Sequence, residues 1–135
     1  METELLHQET TDQIIKAFYK VYNTLGFGFL EKVYENALSA ELITRGIQVE
    51  TQKRLEVYYE DQLVGEYFAD IVVEEKIILE LKSAESLHPA HEAQLMNYLK
   101  ATEIEVGLLL NFGVKPEFKR KLFTNSRKSF RTKIE

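Results

Sequence analysis

Tyr67-Phe68-Ala69-Asp70-Ile71-Val72-Val73, a Glu74-Glu75 turn, then Lys76-Ile77-Ile78-Leu79-Glu80-Leu81-Lys82 is the stretch whose reading decides the fold. Both apolar runs have strand length and are rich in β-branched residues, and the short connection makes them an antiparallel pair. Residues two apart share a face of a strand, so Glu80 and Lys82 point the same way. Pairing of the two strands lets Asp70 join them. Charges among Ile, Leu and Val are costly unless they are paired or hold a metal. The trio is therefore a candidate site on composition alone.

Upstream, residues 47–59 form a half-polar extended region that turns at Glu60-Asp61-Gln62, and Leu63 to Val73 continues as the second strand. Further upstream, Ile14, Ile15, Phe18, Val21 and Tyr22 follow a helical period behind a cap at Thr11 or Asp12. Leu25-Gly26-Phe27-Gly28 breaks that helix. A second runs from about Phe29 to Thr44, with Gly46 as its terminator. Downstream, Pro89 opens a helix reaching about Ala101. Glu105 to Asn111 then reads as a strand buried on both faces, reached by a helical crossover and so parallel to a neighbour. Pro116 to about Phe123 is expected to be a last helix, with residues 125–135 as a disordered tail. The expectation is one α/β domain over residues 1–135, its mixed sheet flanked by helices.

Composition narrows the chemistry. The 135 residues are 44% hydrophobic and 29% charged, the balance of a soluble globular domain. There is no cysteine, which excludes disulfides and thiolate metal sites, so any metal is held by oxygen or histidine. The acidic start Met1-Glu2-Thr3-Glu4 lacks the order of a signal peptide, and no apolar run reaches the ~18 residues of a membrane span. A cytoplasmic protein with no membrane partner is expected. The net charge of −5 is unevenly spread: residues 115–135 carry +6 and the remainder −11. A basic segment of this kind, including Lys119 and Arg120, can face phosphates or simply solubilise the chain.

Two carboxylates converging on one point suit Mg2+ or Mn2+, and the backbone carbonyl of Leu81 can add a ligand. A lysine beside them can orient water or steady charge on a phosphate. The plainer alternative, a sheet-surface ion pair of Lys82 with Asp70 or Glu80, stays open on this pattern. Other residues add weight. Glu31 lies in the first turn of the second helix, spaced with Tyr34 and Leu38 along one face. In the later helix His91, Gln94 and Tyr98 repeat that spacing.

Gly28-x-x-Glu31-x-x-Tyr34 resembles the signature of the GxxExxY family. Ala69-Asp70, Glu80-Leu81-Lys82, the helix His91 to Lys100 and Gly107 to Gly113 follow in the family's order, so the resemblance covers roughly residues 10–123. The family is placed in the PD-(D/E)XK nuclease-like superfamily, and Gln94-x-x-x-Tyr98 is similar to the QxxxY motif of its RecB-type branch. The resemblance implies a restriction-endonuclease-like core and a nuclease dependent on Mg2+ or Mn2+, acting on DNA ahead of RNA. It implies Asp70 and Glu80 as metal ligands, Glu31 completing or supporting the metal site and Lys82 as the catalytic lysine. Gln94 and Tyr98 match positions supporting site or substrate. Two departures stand out: Ala69 replaces the superfamily's Pro, and Phe68 stands where relatives often have Arg. A non-catalytic nucleic-acid-binding module on the same fold is the alternative, and a homodimer or partner protein is a further expectation.

Overall fold

The computed structural model describes residues 6–128. Its order is α1 (Gln8–Leu25), α2 (Glu31–Thr44), β1 (Val49–Tyr59), β2 (Gln62–Val73), β3 (Ile77–Lys82), α3 (Pro89–Ala101), β4 (Val106–Phe112) and β5 (Pro116–Leu122). The strands form one sheet in the order β1-β2-β3-β4-β5. β1, β2 and β3 are an antiparallel meander, β4 lies parallel to β3, and β5 returns antiparallel to β4. This is the mixed sheet flanked by helices that the strand pattern predicts, consistent with the restriction-endonuclease-like core that the resemblance implies.

Alternation along the central strands divides the core in two. Ile71, Val73, Leu79, Leu81, Leu108 and Leu110 face α1 and α2. Val72, Ile78 and Leu109 face α3, with Leu95, Tyr98 and Leu99 packed on them. Gly107 permits that close approach, since a Cβ there would meet the Leu95 side chain at 2.7 Å.

Four expectations need correction. Residues 116–122 are strand β5, not a helix. Their period is two: Phe118 meets Tyr19 and Arg120 donates to the Leu6 carbonyl at 2.7 Å on one face, while Lys119 and Lys121 pair with Glu92 on the other. Pro116, read as a helix opener, is the first residue of an edge strand, where its missing N–H costs nothing. Helix α1 starts a turn early, with His7 rather than Thr11 or Asp12 preceding it. Helix α2 starts at Glu31, later than Phe29. The tail expected to be disordered begins with a 3-10 turn at Asn125–Arg127, and residues 129–135 lie outside the described residues.

The meander is uneven. β2 pairs with β1 along nearly its whole length, but with β3 only from Ile71↔Leu79 to Val73↔Ile77. Residues 54–68 therefore project beyond β3 as a two-stranded arm, and Asp70 sits where the arm leaves the sheet.

Candidate active site

At that fork the backbone ladder stops and carboxylates continue it. Glu80 Oε2 accepts the Asp70 N–H at 3.0 Å, and Asp70 Oδ2 accepts the Leu81 N–H at 2.8 Å. Glu80 is buried, 4% exposed, and Asp70 is half-buried. Burial, then the Asp70 charge, pushes the Glu80 carboxyl up to about 8. Burial also raises Asp70, and the Leu81 N–H only partly offsets this. Two desolvated like charges cannot both ionise cheaply.

Lys82, two residues along from Glu80 and half-buried, forms no ion pair among the described residues, although its charge favours ionised Glu80. It also disfavours protonation of His91, behind the larger effect of burial. His91 is held at the start of α3 by a reciprocal cap: its Nδ1 accepts the His88 N–H at 3.1 Å, while His88 Nδ1 accepts the Ala90 N–H at 3.0 Å. His91 thus stands at the rim, with Lys82 and Glu31 near enough to act on it.

The Gly28-x-x-Glu31-x-x-Tyr34 pattern separates into three jobs. Gly28 has φ 111°, a conformation side chains rarely adopt. Tyr34 is fully buried, stacks on Phe112 with ring centroids 4.3 Å apart, donates to the Gly26 carbonyl at 2.6 Å and accepts the Phe29 N–H at 3.2 Å. It fixes the turn from inside the core and does not line the site surface. Glu31 is thereby delivered as the exposed first residue of α2, where Asp70 and Glu80 both feel its charge.

Two residues that sequence reasoning passed over join this group. Glu35, one turn after Glu31, is 5% exposed. Its carboxylate accepts from Lys32 Nζ at 3.0 Å and from Gln52 Nε2 at 2.9 Å. The same Gln52 amide reaches Asp70 Oδ1 at 3.4 Å. Gln52 has φ 51° and is left out of the β1–β2 pairing opposite Asp70, although the register continues on either side. The irregularity turns one amide toward two carboxylates. Glu35 had a helical-spacing signal, four residues after Glu31; Gln52 had none, because the kink is visible only in three dimensions.

The remaining candidates divide. Gln94 and Tyr98 line a cavity beside the carboxylates, between α3 and the arm. Burial, then the charges of Glu80 and Asp70, pushes the Tyr98 hydroxyl up to about 12. Lys119 lies in the same cross-strand row as Glu80, two strands away, and is paired with Glu92 at 3.4 Å. Arg120 faces the opposite side of the sheet, toward Leu6. Lys121 pairs with Glu92, and Lys128 Nζ donates to the Thr102 and Ile104 carbonyls. Among the described residues, Lys119, Arg120, Lys121 and Lys128 thus already have protein partners, and the structure does not bring Lys119 and Arg120 to the carboxylates.

Among the described residues, no three His, Asp or Glu side chains gather closely enough to hold a metal by themselves. What assembles is two crowded carboxylates, with Glu31 near enough for its charge to act on both. Such a hard-oxygen set, short of positive charge, fits a divalent cation that keeps part of its water shell.

A family model described as the PD-(D/E)XK nuclease superfamily matches residues 8–121. A search of curated proteins gives no match. Among solved structures, the chain is similar to that titled "Crystal structure of SSO0001", at 19% identity and a TM-score of 0.54. The alignment covers 91% of this chain and 62% of that one, a likeness of fold alone. Because the family match takes in both carboxylates, the lysine and nearly the whole sheet, the chain belongs to the PD-(D/E)XK nuclease superfamily.

Proposed function

We propose that this protein is a divalent-metal-dependent nuclease of the GxxExxY group, hydrolysing phosphodiester bonds of DNA ahead of RNA. The observation that carries the reading is the pairing of half-buried Asp70 with buried Glu80, with Lys82 beside them. Nucleases of this superfamily generally use divalent metals. Asp70, Glu80 and the Leu81 carbonyl would hold Mg2+ or Mn2+, which supplies Lewis acidity toward a phosphoryl oxygen and lowers the pKa of bound water.

The chain's own residues do the rest. Lys82 orients the attacking water and steadies negative charge on the phosphate. Glu31 adds a carboxylate from the α2 side, and Glu35 with Gln52 holds Asp70 in place. Water adds to phosphorus and the bond to the leaving oxygen breaks, giving a phosphate monoester and a hydroxyl. The test is incubation of purified protein with nucleic acids and Mg2+ or Mn2+, beside Asp70→Ala and Lys82→Ala. Cleavage that persists unchanged in both variants overturns the proposal.

One observation favours a second reading, a non-catalytic nucleic-acid-binding module. Asp70 and Glu80 each accept a backbone N–H and so already have structural work. That module binds nucleic acid in a salt-dependent way, indifferent to EDTA. The protein partners that Lys119, Arg120, Lys121 and Lys128 already have count against it.

A further inference from the structure

The cavity between α3 and the arm has a volume of about 450 Å³, within the range of small-molecule sites. Tyr67 and Val57 line it from the arm, and Gln94, Asn97, Tyr98 and Lys100 from α3. Tyr67 is 47% exposed, and its ring lies 5.5 Å from that of Tyr98, tilted at 47°. The side-chain amides of Gln94 and Asn97 are exposed and take no protein partner among the described residues. An aromatic wall, an apolar arm residue and two free amides, each offering a donor and an acceptor, make a particular combination. It matches a flat heteroaromatic ring with a hydrogen-bonding edge.

The cavity's place narrows the ligand. Tyr98, whose ring adjoins that of Tyr67 in the cavity wall, is near enough to Glu80 and Asp70 for both charges to act on it. A ring held there lies next to a phosphate at those carboxylates. We propose that this cavity receives one unpaired nucleobase, stacked on Tyr67 and read along its edge by Gln94 and Asn97, so that the preferred substrate is single-stranded. The arm and α3 wall the cavity on both sides, and a base still paired to its complement cannot enter. The proposal rests on the nuclease reading of the neighbouring carboxylates for its substrate class.

The test is a single-stranded oligonucleotide carrying 2-aminopurine, titrated with the full chain in EDTA so that cleavage plays no part. Stacking is expected to quench the fluorescence, and Tyr67→Ala is expected to weaken binding about tenfold, a typical loss for one base–aromatic stack. Tyr67→Phe should bind as the parent does, and Asn97→Ala should weaken binding several-fold. Should Tyr67→Ala fail to fold, Asn97→Ala decides, because that side chain is exposed on a helix. Unchanged binding and quenching in both alanine variants, or equal affinity for a blunt duplex, overturns the proposal. Cleavage in Mg2+ by variants with unaltered binding leaves the nuclease reading intact while the base site falls. Quenching that depends on Tyr67, without cleavage in Mg2+, upholds the base site while the nuclease reading falls.

Discussion

Asp70 and Glu80 brace the two strands that carry them: the Asp70 N–H donates to Glu80, and the Asp70 carboxylate accepts from Leu81, next to Glu80. The pair is at once a structural clasp and the proposed metal-binding centre. The two roles respond differently to substitution.

Asp70→Asn keeps an oxygen to accept the Leu81 N–H but removes the charge. Its fold should survive, with melting close to the parent's, while metal-dependent cleavage falls to background. Lys82→Ala, with no ion pair to lose, should leave melting unchanged and lower cleavage about a hundredfold or more. Circular dichroism and a cleavage time course on the same preparations check both.

The Glu80 carboxyl, near 4.5 when the chain is unfolded, is pushed up to about 8 in the fold. The folded, metal-free protein therefore holds a proton there that the unfolded chain releases. This stabilising effect is full below about pH 4.5 and is lost as pH rises through about 8. Glu80→Gln should melt higher than the parent in EDTA at high pH, with the difference shrinking at low pH. Mg2+ should raise the parent's melting temperature most where Glu80 is ionised. A melting series across pH, with and without the ion, measures both effects.

Gln52 links Glu35 to Asp70 without approaching the Leu81 side of the clasp. Gln52→Ala should lower cleavage about 10- to 100-fold, the usual cost of removing a partner of a metal ligand. Gln52→Gly suits the positive φ better and should melt higher than Gln52→Ala, yet be as slow. A raised Mg2+ requirement in both variants distinguishes positioning from a general loss of stability.

Asn111 is fully buried and pairs with Ala84 in both directions, accepting its N–H at 2.9 Å and donating to its carbonyl at 3.0 Å. It anchors the chain two residues beyond Lys82. Asn111→Leu strands those two backbone groups and should cost about 2–3 kcal/mol. Gly113→Ala drives a Cβ to 2.1 Å from the Ala84 carbonyl oxygen and should also destabilise strongly. Gly107→Ala, meeting only the flexible Leu95 side chain, should be milder. Urea denaturation ranks the three.

Much of this was legible from sequence because the central strands obey simple rules. Two β-branched runs with a two-residue acidic turn can hardly be anything but a hairpin, and the run before Asn111 needed cover on both faces. Glu31, Asp70, Glu80 and Lys82 were visible as charges at defined places on those elements. Strand β5 was not, because Pro116 reads equally well as a helix start and only the free edge of β4 settles the choice. Tyr34 looked like a site residue from its spacing, yet its hydroxyl is turned to Gly26. Gln52 was invisible because its role depends on a local gap in strand pairing at a positive φ. Lys119 and Arg120 looked like phosphate contacts because a list of charges does not say which have acidic or carbonyl partners.

The fork at Asp70 also has a mechanical meaning. One continuous strand runs from the arm, through Tyr67, into the sheet at Ile71, and Asp70 is its pivot. The arm and that carboxylate are joined by continuous strand, with no loop between them. Gripping a strand of nucleic acid and aligning the carboxylate would then be two ends of a single lever.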